Sequence, residues 1–429
     1  MATGIPSKRN GNSAPFRLEY EGKLPVDEIL NGAGAELQCL LQSEKPLQNR
    51  LIYGDNLRVL RTLAADATIA GQVRLIYIDP PYATGSGFES RSQNPAYQDI
   101  LAGAEYLEFL RQRLILLKEL LAEDGSIYVH LDEKMAFPIK VLMDEIFGSK
   151  NFRNWITRKK CNPKNYTRKQ YGNVSDYILF YTKGEPYVWN QVFEAWTETT
   201  AKKEYPYIEI ETGRRYKKVP IHAPGTRNGE TGKPWRGMLP PPGKHWQYPP
   251  ATLDAMDARG EIYWSPRGNP RRKVYFDNSQ GIPVQDIWLN FKDAHNQNIK
   301  ITGYPTEKNA DLLQRIILAS SNPGDLVLDA FSGSGTTVAV AEALNRRWIA
   351  IDNSLLAIET IVDRLTQGLN FMGDFVAKTP SPDRPTAVSQ ADRVLHSGLA
   401  LYVEVTACLQ PIPARLIQSW QEKLGNIPG

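Results

Sequence analysis

Two short stretches of the chain carry residue types that can act on a bound molecule. The first is Asp79-Pro80-Pro81-Tyr82, which follows the apolar run Arg74-Leu75-Ile76-Tyr77-Ile78. That run reads as a buried strand stopped by proline, so Asp79 falls at a strand's carboxyl end, where open α/β sheets place their ligands. An aromatic exocyclic amine is a poor nucleophile because its lone pair is delocalised into the ring. The Asp79 carboxylate and the Pro80 carbonyl can accept its two N–H bonds and favour a tetrahedral nitrogen, on a loop that the prolines stiffen. Tyr82 offers a face on which an extruded base can stack. The plain alternative is a rigid Asp-Pro turn with no chemistry.

The second stretch is Leu326-Val327-Leu328-Asp329 running into Phe331-Ser332-Gly333-Ser334-Gly335-Thr336-Thr337. Strand, glycine turn and helix start make a ligand-binding arrangement, because small residues let backbone N–H groups approach a ligand closely. Asp352, at the end of the next strand, lies 23 positions after Asp329, close to the spacing of the carboxylate that holds ribose hydroxyls in dinucleotide folds. A tight strand-to-helix turn beside an unrelated carboxylate gives the same pattern. No Gly-Lys-Ser/Thr follows, which argues against a P-loop.

The elements that must position these residues follow from periodicity. Apolar residues at helical spacing predict a helix over Tyr106 to Leu121, closed by Asp124-Gly125; a strand follows at Ser126 to His130 and a helix around Lys134 to Phe147. Asp176 to Tyr181 reads as a third buried strand. After an irregular stretch rich in Pro, Gly, Trp and Tyr, regular texture returns. Helices are expected at Glu307 to Ser320 and Thr336 to Leu344, and strands at Leu326 to Asp329 and Trp348 to Ile351. Alternating strands and helices predict a parallel α/β sheet built from two sequence-distant halves. The expected division is 1–45, a loosely attached N-terminal arm; 46–188, the half carrying Asp79; 189–295, an insert; 296–370, the glycine-loop half; and 371–429, an unassigned appendix.

Asp-Pro-Pro-Tyr followed far downstream by Phe-x-Gly-x-Gly resembles the permuted, beta class of DNA amino-methyltransferases, typified by the modification subunits of type III restriction systems. Tyr53-Gly54-Asp55-Asn56-Leu57, Tyr304-Pro305-Thr306-Glu307-Lys308 and Ser321-Asn322-Pro323-Gly324-Asp325 extend the likeness over roughly Leu51 to Leu365. One departure is Val174-Ser175-Asp176, where such proteins often carry His before Asp. The resemblance implies a Rossmann-like S-adenosylmethionine-dependent fold with circularly permuted motif order and an inserted target-recognition domain. It implies Asp79, Pro80, Pro81 and Tyr82 at the target base. It also implies Asp55, Asp329, Phe331, Gly333, Gly335 and Thr336 at the cofactor, with Thr306 near its carboxylate and Asp352 at its ribose. Asp at the first motif position favours the 6-amino group of adenine in this class. The 4-amino group of cytosine, and a DNA-binding subunit without turnover, are the competing readings.

The segment Asn151 to Ser175 holds seven Lys or Arg residues, including Arg158, Lys159, Lys160, Lys164, Arg168 and Lys169, with no Asp or Glu and with Trp155, Tyr166 and Tyr171 interleaved. Such a stretch suits a nucleic-acid face, as do Arg271 and Arg272 in a further basic cluster, although charge runs are commonly just solvated surface. Double-stranded DNA is the expected partner. A separate restriction subunit and a homodimer are left open, and no nuclease or helicase motif is visible. The 429 residues, 41% hydrophobic with a net charge of +4, suit a globular chain with a sizeable core. With no run of about 20 apolar residues and no signal-like start, no membrane contact and a cytoplasmic location are expected. The three cysteines are far apart, so neither a metal site nor a disulfide framework is expected.

Overall fold

The computed structural model describes residues 16–43, 47–81, 87–89, 95–98, 103–162, 169–292, 300–302, 307–368, 370–371, 398–405 and 409–425. They form two compact units, Met1–Asn190 with Gln285–Gly429, and Gln191–Val284.

The larger unit is organised on one ten-stranded sheet. Its strands are β1 (Leu37–Gln42), β2 (Leu47–Tyr53), β3 (Val73–Ile78), β4 (Leu121–Leu131), β5 (Phe152–Lys159), β6 (Ser175–Thr182), β7 (Ile287–Trp288), β8 (Leu326–Asp329), β9 (Arg347–Asp352) and β10 (Gly398–Glu404). Across the sheet the order is β1-β10-β2-β9-β8-β3-β4-β6-β5-β7. Six adjacent strands, β10 to β4, run parallel. They are continuous apolar runs because helices cover both faces; all four residues of β8 are buried. Around the strands lie α1 (Asn56–Ala65), α2 (Gly103–Leu120), α3 (Ala136–Phe147), α4 (Ala310–Ser320), α5 (Thr336–Ala343), α6 (Leu355–Gln367) and α7 (Ala414–Gly425). The side chain of Asp55 caps α1 by accepting the Leu57 N–H at 2.7 Å, and Val59, Leu60 and Leu63 bury its apolar stripe.

Three expectations need correction. The sheet is mixed: β6 runs antiparallel to both of its neighbours, β4 and β5, and with β5 it forms a pair of consecutive strands that needs no crossover helix. The described part of the N-terminal arm, residues 16–43, is not loose, because β1 pairs antiparallel with β10, Ile29 is fully buried, and Leu18, Tyr20 and Leu24 pack on the main core. Of the C-terminal appendix, the described elements β10 and α7 are likewise integral. β10 lies between β1 and β2, and α7 is held to α6 by buried Trp420 and a 2.5 Å Lys423–Asp363 ion pair. Among the described residues no helix is long and apolar enough to cross a membrane.

The second unit ends at Val284 rather than near 295, because Ile287 and Trp288 already pair with β5 of the main sheet. It holds a four-stranded antiparallel sheet (Tyr207–Ile208, Arg215–Val219, Pro270–Tyr275, Ile262–Trp264) and a small core with Trp235, Trp246, Leu253 and Ile262. Trp235 stacks on Trp264 with ring centroids 5.3 Å apart, and the indole N–H groups of Trp235, Trp246 and Trp264 all donate to partners inside the unit. These tryptophans build the core, and His245 bonds the Gly225 carbonyl at 2.7 Å.

Candidate active site

β3 and β8 lie side by side and parallel at the middle of the sheet. Their chains leave in opposite directions, β8 through α5 to β9 and β3 through α2 to β4. Such a reversal opens a crevice beyond the strands' carboxyl ends. Here it is a cleft of about 220 Å³ that brings together Asp79, Pro80 and Pro81 with Asp55, Asp329, Phe331, Gly333, Thr336 and Asp352. Tyr82 and Thr306 lie outside the described residues.

The glycine loop is shaped by two left-handed residues, Gly333 at φ +47° and Gly335 at φ +71°. A side chain at Gly335 would start 2.7 Å from Ile361 Cγ1, so this glycine stands behind the cleft and lets α5 start against α6. Asp329 braces the turn: Oδ2 accepts from Thr337 Oγ1 at 2.5 Å and Oδ1 from the Phe331 N–H at 3.0 Å. Burial nevertheless pushes its pKa up to about 7, with the charges of Asp79 and Asp352 adding to the effect. Asp352 accepts the Gly333 N–H at 2.8 Å and the Ser354 N–H at 2.9 Å; burial outweighs these bonds and raises it to about 6.

Asp79 has a cation against it. Lys308 Nζ lies 2.5 Å from Asp79 Oδ2, and His130 Nδ1 lies 4.0 Å from Oδ1. Behind them runs a buried polar chain. The Tyr77 hydroxyl is hydrogen-bonded to His130 Nδ1 at 2.8 Å, and His130 Nε2 is 3.0 Å from Asp176 Oδ2. Arg158 Nη1 approaches the same oxygen at 2.8 Å and its Nε donates to the Phe291 carbonyl at 2.6 Å. Burial, then Asp79, pushes the Tyr77 phenol well above its usual range, so it keeps its proton. Burial opposes ionisation of Asp176, but His130, Arg158 and Lys308 together hold its carboxyl well below the usual range.

On the far wall, the Arg113 guanidinium stacks 3.6 Å from the Phe109 ring centroid, and its Nε donates to Asn56 Oδ1 at 2.5 Å. Asn56 in turn donates to the Ala330 carbonyl at 2.8 Å, which ties α1 and α2 to the glycine loop. Glu404 of β10 accepts the Asp55 N–H at 2.7 Å and pairs with Arg58 at 2.8 Å.

The basic segment divides. Arg158 is fully buried and spent on Asp176 and Phe291, so the expectation that it contacts phosphate is corrected. Lys159 and Lys160 are half-buried and Lys169 is exposed, while Lys164 and Arg168 lie outside the described residues. In the second unit Arg271 is exposed and Arg272 donates to the Tyr248 hydroxyl. Sequence reasoning missed His130, Lys308, Tyr77 and Arg113. His130 was findable, as a titratable residue near the carboxyl end of the strand next to β3. Among the described residues no group of three or more His, Cys, Asp or Glu could hold a metal ion.

The DNA methylase family, whose members act at N6 or N4 amino groups, matches residues 73–363. This chain belongs to that family. The match takes in Asp79, the glycine loop and Asp352, whereas β1, β2, β10 and α7 of this methylase lie beyond it. Among its relatives, the type II methyltransferase M.EcaI of Enterobacter cloacae is 51% identical over 404 residues, covering 92% of this chain and 88% of that protein. The Mod subunit of the type III restriction-modification enzyme StyLTI of Salmonella typhimurium is 29% identical over 348 residues, 71% of this chain and 51% of the subunit. Of solved structures, the M1.HpyAVI–SAM complex aligns with a TM-score of 0.40 at 17% identity, over 74% of this chain and 98% of that one. The cytosine-N4-specific PvuII DNA methyltransferase aligns with 0.41 at 16% identity, over 79% and 92%.

Proposed function

We propose that this methylase transfers a methyl group from S-adenosylmethionine to the 6-amino group of adenine in double-stranded DNA. The observation that carries the reading is the position of Asp79, at the carboxyl end of β3 in one cleft with the glycine loop and Asp352. The cleft's own residues suit the cofactor. Asp352 is a half-buried carboxylate lining the space, fit for ribose hydroxyls; Gly333 supplies backbone without a side chain in the way; Phe331 and Phe109, 6.1 Å apart between centroids, supply an apolar wall; Thr336 opens α5. When bound, the cofactor supplies an electrophilic methyl on a sulfonium.

The remaining work falls to the chain. Asp79 accepts one N–H of the target amine and the Pro80 carbonyl the other, which pulls the nitrogen toward tetrahedral geometry and localises its lone pair. Asp79 serves as acceptor more than as strong base, because a methylated ammonium loses its proton readily. In-line positioning supplies much of the rest of the acceleration. An aspartate at position 79 supports adenine, as the resemblance implies. The unit Gln191–Val284 is the proposed target-recognition domain, and a separate polypeptide would cut unmodified DNA if the chain serves a restriction system. Nucleoside mass spectrometry of DNA from cells expressing the chain tests the base. N6-methyladenine is expected; N4-methylcytosine instead would transfer the same site to the competing amine.

A further inference from the structure

Lys308 stands where two demands meet. Its ammonium is 2.5 Å from Asp79 Oδ2, with both side chains mostly buried, and its carbonyl accepts from Thr336 Oγ1 at 3.4 Å in the first turn of α5. The carboxylate assigned to the target amine is thus already held by an amine of the chain itself. Around it the cleft is acidic, with Asp79, Asp329 and Asp352 all lining it. Of the two cations among the described lining residues, Arg113 is engaged by Asn56 and Asp55, 2.5 and 3.5 Å away. A carboxylate entering at the start of α5, where the helix dipole favours an anion, meets two further cations, Arg364, held by Glu307 at 3.0 Å and by Thr336 Oγ1 at 2.9 Å, and Lys308, which lines the cleft itself.

We propose that Lys308 is an ionic switch: it masks Asp79 while the cleft is empty of cofactor, and the amino-acid carboxylate of S-adenosylmethionine draws it off, freeing Asp79 for the base. The inference rests on the proposed function and deepens it, since it makes cofactor binding the step that admits the target amine. Lys308 exchanges one carboxylate for another. The ammonium therefore leaves Asp79 only in the cofactor-bound state, in which the carboxylate can take up an N–H donor from the base.

The test is a double-mutant cycle read by calorimetry on the full chain: wild type, Asp79→Asn, Lys308→Met and the double variant. The ligands are S-adenosylhomocysteine, which lacks the sulfonium charge that Asp79 would attract, and 5′-methylthioadenosine, which lacks the carboxylate. In the Asp79→Asn background Lys308→Met is expected to weaken S-adenosylhomocysteine about tenfold, the worth of one charge-assisted hydrogen bond, and by less where Asp79 is present to take the ammonium back. Asp79→Asn is expected to tighten it severalfold, and to do so only while Lys308 is present. Neither change should move 5′-methylthioadenosine. Lys308→Gln, compared at equal unfolding midpoint, repeats the measurement should the Met variant fold poorly. Unchanged S-adenosylhomocysteine affinity on removing Lys308 from the folded Asp79→Asn variant, or an Asp79→Asn effect equal in both Lys308 backgrounds, would overturn the switch. Failure of the wild type to bind either ligand would instead overturn the cofactor assignment.

Discussion

Burial outweighs bonding at Asp329, and that gives the residue a measurable signature. Its carboxyl accepts two hydrogen bonds, yet its folded pKa is raised from 3.8 to about 7. The folded state therefore binds a proton that the unfolded state has released across that range, so this group's contribution to stability is greatest below about pH 4 and declines as pH rises toward 7. Asn, a permanently neutral isostere, escapes the decline. Asp329→Asn should gain on wild type in chemical denaturation as pH rises from about 4 to about 7, and a constant difference would contradict the assignment. Residues of this kind differ in how far the sequence reveals them. Asp79, Gly333 and Gly335 sit in contiguous motifs whose chemistry is local. Lys308 and Asp176 reach Asp79 and His130 only through the fold, and no spacing announces such pairs.

At the scale of elements, the glycine loop depends on one close approach. Gly335 and Gly324 both adopt left-handed backbone, φ +71° and +85°, but only Gly335 faces a neighbour, Ile361 at 2.7 Å, whereas Gly324 faces open space. Alanine at either position costs roughly 1–2 kcal/mol of backbone strain. Gly335→Ala should lose more stability than Gly324→Ala and should also weaken cofactor binding, because α5 must move off α6. Equal losses with unchanged affinity would confine the effect to the backbone and remove the packing claim. The parallel strands and their helices were legible, since β3, β8 and β9 are apolar runs bounded by Pro, Gly or charge. β1 was not, because a six-residue edge strand with one buried position, Leu41, shows no alternation. β10 was visible as an apolar stretch, but its partner β2 lies in another part of the chain, and pairing at that range leaves no local mark.

For the molecule as a whole, the two-unit division was legible from the loss of periodicity after β6, while its end was misplaced because Ile287-Trp288 is too short a strand to announce itself. The basic segment's charge was legible and its burial was not, which matters for testing DNA contact. Arg158 must be left in place, since removing it would break its buried ion pair with Asp176, with His130 still beside that carboxylate, at a cost of up to about 3–5 kcal/mol. Replacing Lys159, Lys160 and Lys169 with Ala should weaken duplex binding and lower the magnitude of the log–log salt slope by about 2 to 3 while sparing sequence preference. An unaltered slope would make this a solvated face. The central claim is tested most directly by comparing wild type with Asp79→Ala for transfer of labelled methyl from S-adenosylmethionine to duplex DNA, with cofactor binding followed in parallel. The prediction is label in N6-methyladenine for wild type, loss of at least about a hundredfold in the variant, and cofactor affinity no weaker than before. Transfer surviving in the variant, or affinity falling in step with activity, would contradict it.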